Sequence, residues 1–312
     1  MRRFFTQLPL PICGLMLGSA TLGNLFKNSG LPQLWVACGI LCLTILTLVL
    51  IKYLVAWPSA MAPTQDPVVM SVLPNLTMSM LLLSGYLVGW GAPKALMTVI
   101  WWFAVILQFI MVGYFCWHHI IKAEKKLSMV MPSWFVTFVG IGVIPVTTST
   151  FAPWLGMPMV WLSLISYACV FPFVMYRLVK LPLAQPAKPL RTIVAAPAGL
   201  CLTAYLNVAA TPNWWGATLL LIFSQILLWT TLIKVVPYFK LPFAPSIGAF
   251  TFPVAISAMG LNRYNALVPI APSWQGFMHG LDAVEIAITA GIVLMVAIRF
   301  AGYLVKLAKQ PA

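Results

Sequence analysis

Acidic residues are nearly missing from this chain: its 312 residues include four Asp or Glu against eighteen Lys or Arg. Charged residues of either sign make up 7% of the sequence, where soluble globular domains carry about 25%. So few charges cannot cover a water-soluble surface, which excludes a globular enzyme or soluble binding domain of this length. Four carboxylates (Asp66, Glu124, Asp282 and Glu285) and three histidines also leave little material for acid–base or metal chemistry. There is no nucleophile–base pair, phosphate-cradling glycine loop or HExxH-like motif, so no enzyme, cofactor or metal site is expected. The six cysteines (Cys13, Cys38, Cys42, Cys116, Cys169 and Cys201) lie in apolar stretches without metal-type spacing and read as small apolar filler. The net charge of +14 does not mark a nucleic-acid binder, because the basic residues stand singly or in twos and threes between apolar runs.

What is present is hydrophobic: 62% of the residues, with a mean hydropathy of +0.99. Apolar runs long enough to cross about 30 Å of hydrocarbon recur from end to end. They are too long and too unalternating for the roughly ten-residue strands of an outer-membrane barrel. Ten spans are expected, at 8–26, 34–57, 68–88, 95–118, 132–152, 155–176, 190–209, 214–236, 244–262 and 276–305. They make one all-α integral membrane domain over residues 1–312, with no room for a separate soluble unit. The start, Met1-Arg2-Arg3-Phe4-Phe5, resembles a signal-peptide n-region. Pro9 and Pro11 interrupt the apolar stretch, which runs past Ala20, so it reads as a retained first span.

Loop charges test this count. With an intracellular N-terminus, fifteen of the eighteen basic residues, Lys125 among them, share one side of the membrane. Only Lys27, Lys94 and Arg263 lie on the other. The positive-inside rule makes the richer side cytoplasmic and puts both termini there. An odd number of spans would spoil this asymmetry. Trp35, Trp57, Trp90, Trp117, Trp134, Trp154, Trp214 and Trp274 fall near expected span ends, as interfacial anchors do.

The spans differ by parity. Odd ones carry a proline with small or hydroxyl residues nearby: Pro11 with Gly14 and Gly18, Pro74 with Thr77 and Ser79, Pro145 with Thr147, Thr148 and Ser149, Pro197 with Gly199, and Pro253 with Ser257 and Gly260. Even ones are plain apolar helices, interrupted mainly by Pro172. A mid-helix proline removes a backbone donor and frees the carbonyl four residues earlier, so each odd helix is expected to bend. At membrane depth such a break is tolerated only where protein or a water-filled cavity satisfies the freed group. The chain therefore repeats a kinked helix, an outer turn, a plain helix and a basic inner loop five times. Five hairpins in a quasi-five-fold ring would set the kinked helices around a central pore and the plain ones against membrane lipid. Ordinary close packing at small residues is the alternative. In the ring reading Phe252, directly before Pro253, blocks the pore. Thr77, Thr147, Thr148, Ser149 and Ser257 are candidates for its lining. Phe250 lies about 200° round the helix from Phe252 and faces elsewhere.

With the opening Leu8-Pro9-Leu10-Pro11 before Gly14, and Thr251-Phe252-Pro253 in the ninth span, this pattern resembles the tellurite-resistance/dicarboxylate transporter family. That family includes bacterial TehA-type proteins, yeast and archaeal dicarboxylate permeases, and plant guard-cell slow anion channels. The resemblance covers almost the whole chain. It implies a homotrimer in a bacterial inner membrane, each subunit with its own pore lined by the odd helices and occluded by the ninth-helix phenylalanine, here Phe252. It also implies that Gly14 packs near that ring, and it links the chain to tellurite resistance. The family is divided between channels and carriers.

Of the acids, only Asp282 and Glu285 fall within a span, near the outer start of the tenth and one turn from His279. They read either as a helix start favoured by the dipole or as a proton or cation site. The odd helices offer no ionisable relay. That favours passive passage of small monovalent anions over proton-coupled carriage of dicarboxylates or oxyanions, with a permanently sealed scaffold as a third class. Basic residues at the inner mouth concentrate anions. Weak hydroxyl and aromatic-edge sites inside compensate dehydration poorly, so nitrate and iodide are expected to pass ahead of chloride.

Overall fold

Proline decides where the inner helices of this chain begin. The computed structural model describes residues 2–124 and 126–309, so Lys125 of the inner-side basic group lies outside the described residues. Its principal α-helices are α1 (Cys13–Asn28), α2 (Pro32–Val55), α3 (Pro74–Gly89), α4 (Lys94–Phe115), α5 (Val143–Phe151), α6 (Gly156–Lys180), α7 (Ala196–Val208), α8 (Trp214–Val235), α9 (Thr251–Leu267) and α10 (Pro272–Ala308). Shorter helical turns join them.

The prolines of the odd helices do not sit at mid-helix bends, as expected, but at helix starts. Pro11 lies in a 3₁₀ turn, Leu10–Ile12, directly ahead of α1. Pro74 is the first residue of α3. Pro145 enters the first turn of α5 after the 3₁₀ turn Gly140–Gly142. Pro197 opens α7 after the 3₁₀ stretch Gln185–Ala195, and Pro253 lies in the first turn of α9 after Pro245–Phe250. First-turn N–H groups have no intrahelical acceptor, so a proline there removes no ladder bond. At Pro11, Pro145, Pro197 and Pro253 the break is thus a change of helix type, while at Pro74 α-helix stands on both sides, Pro67–Val72 before it and α3 after it. Pro172, by contrast, lies inside α6, which continues through it to Lys180.

This break also shortens some helices. Seven helical stretches are long and apolar enough to cross a membrane: Pro32–Val55, Pro67–Gly89, Lys94–Ile121, Pro153–Lys180, Gln185–Val208, Trp214–Lys240 and Pro272–Ala308. The first, fifth and ninth expected spans are helical but contain shorter α-segments, since 3₁₀ turns occupy their starts.

Two of the hairpins close by the same device. Gly30 (φ 78°) follows α1 and Gly91 (φ 95°) follows α3, each in the left-handed region where a Cβ is penalised. The next N–H reaches back five residues in each case, Leu31 to Phe26 O and Ala92 to Leu87 O, both 2.8 Å. Such a Schellman closure satisfies the last carbonyls and turns the chain at once into Pro32 or Pro93.

Burial separates the helices by parity. The most apolar windows of Pro67–Gly89 and Gln185–Val208 are 83% and 89% buried, against 22–39% for the other long stretches. Thirteen of the sixteen residues of α1 and twelve of the seventeen of α9 are buried as well. The even helices show large apolar side chains outward, among them Leu54, Val99, Trp161, Ile222 and Leu294. A surface of that kind is stable against hydrocarbon, not water. The chain is an all-α, multi-pass membrane protein. Each odd helix packs against the even helix that follows it, and α1 meets α3, α3 meets α5, α5 meets α7, α7 meets α9, and α9 meets α1.

The inner contacts are made at backbone distance. A Cβ on Gly199 of α7 would stand 2.7 Å from the Cα of Ser257 on α9, and one on Gly14 would stand 2.8 Å from the carbonyl oxygen of Gly248. Gly199→Ala is therefore expected to destabilise the fold by about 1–3 kcal/mol, as overpacking does. Gly113→Ala, where no atom lies within 4 Å, serves as the comparison and should leave stability unchanged or slightly raised. Unfolding of the purified protein in increasing SDS measures both.

Candidate functional site

Five hydroxyl-bearing and small residues hold the start of α9 in place. Thr251 Oγ1 lies 2.8 Å from the carbonyl oxygens of both Gly14 and Gly248 and donates between them. Ser257 Oγ lies 2.9 Å from Ala195 O, ahead of α7, and 3.0 Å from Pro253 O. The ninth helix is thereby tied to the first on one side and to the seventh on the other. Thr137 and Ser71 repeat the device elsewhere: Thr137 Oγ1 donates to Ser71 O at 2.9 Å, and Ser71 Oγ donates to Ser133 Oγ at 2.6 Å. Hydroxyls used this way bond backbone carbonyls across helix contacts.

Two cavities lie among the odd helices. The larger, about 550 Å³, is lined by Gly14 of α1, Asn75 and Met78 of α3, Val139 and Gly140 ahead of α5, Pro197 and Leu200 of α7, and Phe252 and Pro253 of α9. The smaller, about 230 Å³, is lined by Asn24 and Lys27 of α1, Leu82 and Tyr86 of α3, Thr147 and Thr150 of α5, Thr203 and Asn207 of α7, and Met259 and Arg263 of α9. Each odd helix, or the turn leading into it, thus serves the larger cavity with its start and the smaller with its later turns. The wall between them is thinnest at α3 and α7; on α1 the two linings are ten residues apart, Gly14 to Asn24, and on α9 six, Pro253 to Met259. Met78 and Leu82 stand one turn apart on α3, and Leu200 and Thr203 one turn apart on α7, a rise of about 5–6 Å.

Phe252 lines the larger cavity, with 6% of its surface exposed. Phe250 is fully buried and turned away; its ring meets that of Phe239 edge-on at 4.9 Å. Gly14 and three of the five prolines, Pro11, Pro197 and Pro253, line the larger cavity, while Pro74 and Pro145 lie off both. Of the hydroxyl candidates only Thr147 reaches a lining, that of the smaller cavity. Thr77 faces outward to Gln108 Oε1 and also donates to Pro74 O. Thr148 donates to Pro145 O at 3.0 Å, Ser257 is spent on its two carbonyls, and Ser149 is exposed. Neighbouring helices take up Thr77 and Ser257, and Thr148 turns back onto its own helix.

The lining residues that sequence reading misses share one signature. Asn24 with Asn28, Leu82 with Tyr86, Thr203 with Asn207, and Met259 with Arg263 are all four apart on an odd helix. That spacing puts each pair on one helix face, and polar pairs at that spacing near the ends of the odd spans were the available clue.

Charge is sparse but placed. Lys52 lines the larger cavity with its ammonium 2.9 Å from Phe5 O, 3.0 Å from Thr6 O and 3.3 Å from Ser59 Oγ, and no carboxylate pairs with it. Asp66, on the same lining, caps a short helix by accepting from the N–H groups of Val68 (2.7 Å) and Val69 (3.2 Å). The ion pair found among the described residues, Lys126 with Glu124, is exposed. Asp282 accepts from Asn262 Nδ2 at 2.9 Å and Glu285 from Gln225 Nε2 at 3.5 Å; neither carboxylate lines a cavity. Among the described residues no group of three His, Cys, Asp or Glu is placed to hold a metal.

Thr77→Val is expected to lower stability by about 1–3 kcal/mol, because it leaves Gln108 Oε1 buried without its donor. Unfolding of the purified protein in increasing SDS measures it, and Thr77 lies off both linings.

No curated protein sequence matches the chain. A family model described as SLAC1, voltage-dependent anion channel, matches residues 7–303, nearly the whole length, and the chain belongs to that family.

Proposed function

We propose that this protein is a passive channel for small monovalent anions, in which five hairpins form a quasi-five-fold ring and Phe252 closes the pore at its centre. The observation that carries this reading is the paired cavity lining. All five odd helices, or the turns ahead of them, contribute to both cavities, and the wall between narrows to about one helical turn at α3 and α7. The closed order of contacts from α1 through α9 and back to α1 supports the ring. Family membership supports anion transport.

In this reading an anion enters the larger cavity past Lys52, whose charge no ion pair offsets. Asp66 lies on the same lining as a capping carboxylate, its Oδ1 accepting from two N–H groups, so among the described residues this cavity carries one ammonium and one carboxylate. At the wall the ion sheds water and meets the Phe252 ring, whose edge carries the positive part of its quadrupole. No fixed charge lies between Met78 and Leu82 or between Leu200 and Thr203. Dehydration is then poorly compensated, and weakly hydrated ions cross most easily. Ten spans with both termini cytoplasmic follow from the charge asymmetry of the loops. Trimeric assembly and a bacterial inner membrane rest on the family resemblance alone.

The test is current across planar bilayers from purified wild type and Phe252→Ala. The mutant should give a large ohmic, anion-selective rise in current, with nitrate and iodide ahead of chloride and fluoride least permeant. A silent mutant beside a wild type that accumulates dicarboxylate against a gradient would make the protein a carrier. Fluoride as the most permeant ion would overturn the proposed selectivity.

A further inference from the structure

We infer that the smaller cavity is a binding site for a small oxyanion, nitrate being the model case, held between Lys27 of α1 and Arg263 of α9. Lys27 and Arg263 line it together, and no carboxylate lines it. These are two of the three basic residues that loop charges put on the outer side, so their convergence on one cavity is not a by-product of a generally basic face. Neither is in an ion pair among the described residues. Lys27 lies 4.3 Å over the Trp35 ring, a contact that leaves its N–H groups available. Arg263 Nε is buried and meets no acceptor. A buried guanidinium N–H left unpaired carries a desolvation penalty that an anion oxygen would relieve.

Most other polar groups of the wall are already spent. Asn28 Nδ2 donates to Asn262 Oδ1 at 3.1 Å, Asn207 Nδ2 to Thr203 O at 2.9 Å, and Thr203 Oγ1 to Gly199 O at 2.8 Å. The side chains of Asn24 and Thr150 make no hydrogen bond among the described residues, and both line the cavity. Free donors therefore come from four helices: Asn24 and Lys27 on α1, Trp35 Nε1 on α2, Thr150 on α5, and Arg263 on α9.

The donor set discriminates by shape. A guanidinium offers parallel N–H groups that two oxygens of one planar anion accept together, whereas a halide is a single point acceptor. A space of about 230 Å³ holds such an ion with several waters, each needing about 30 Å³. The inference rests on the channel reading for its place on an ion pathway, where it supplies the resting site on the outer side of the Phe252 wall. The binding itself requires no conduction.

Isothermal titration of nitrate into the purified full-length protein in detergent, at constant ionic strength, tests it. Wild type should bind nitrate saturably, one ion per chain, and more tightly than chloride. Lys27→Gln and Arg263→Gln should each weaken nitrate by about tenfold, the effect of losing one charge-assisted bond. Arg263→Lys keeps the charge and should lose the preference for nitrate over chloride, which separates the fork from the charge and guards against a folding defect. Lys94→Gln, exposed at the start of α4 and outside the cavity, should bind like wild type. Absence of saturable nitrate binding to wild type, or unchanged affinity in both glutamine variants, overturns the inference. Anion current through Phe252→Ala without nitrate binding would remove this site and keep the channel; nitrate binding with no current in any variant would do the reverse.

Discussion

Contact between backbones is the constraint on which the inner helices depend. Gly14 meets the Gly248 carbonyl, and Gly199 meets Ser257 Cα, at distances no side chain would permit. In hydrocarbon, apolar side chains gain nothing by leaving lipid for each other, so helices associate through close packing and hydrogen bonds. Glycine allows the approach, and the hydroxyls of Thr251 and Ser257 then bridge to carbonyls across it. The carbonyls they reach across the contacts are Gly14 O in the first turn of α1 and Ala195 O directly ahead of α7. Proline, glycine and hydroxyl residues therefore act as one device, repeated along the odd helices.

That device has a consequence for ion passage. Thr77 and Ser257 fasten neighbouring helices and line neither cavity, Thr148 bonds Pro145 O within its own helix, and Thr147 alone both accepts from Trp101 Nε1 of α4 and lines the smaller cavity. The wall between the cavities is left to Met78, Leu82 and Leu200, none of which binds an ion strongly. Charge is confined to the cavities on either side. Three of the four acids, Glu124, Asp282 and Glu285, lie off both linings, and the fourth, Asp66, lines the larger cavity as a helix cap. An anion would thus find Lys52 beside a capping carboxylate at one approach, Lys27 and Arg263 at the other, and an uncharged crossing between them.

Much of the architecture was legible before any coordinates. Hydropathy and the scarcity of charge identify a helical membrane protein, and the alternation of proline-bearing and plain stretches anticipates which helices are buried. The detail of the break was not legible. Pro145 and Pro253 lie well inside their apolar stretches, so a bend was expected, yet each stands in the first turn of an α-helix. Hydropathy cannot distinguish a 3₁₀ turn from an α-turn, because both bury the same side chains.

Sequence alone determined the partition between lipid and interior, because burial of apolar surface depends on composition and helical period, which are local properties. It also singled out Phe252 by its place before Pro253. Only the tertiary structure decided how side chains were used. Thr147 and Thr148 are adjacent in the chain, yet one reaches a cavity and the other bonds Pro145 O. Lys27 and Arg263, more than two hundred residues apart, share one cavity. Hydrogen-bond partners and cavity walls are set by which helices cross and at what distance, and no single helix carries that information.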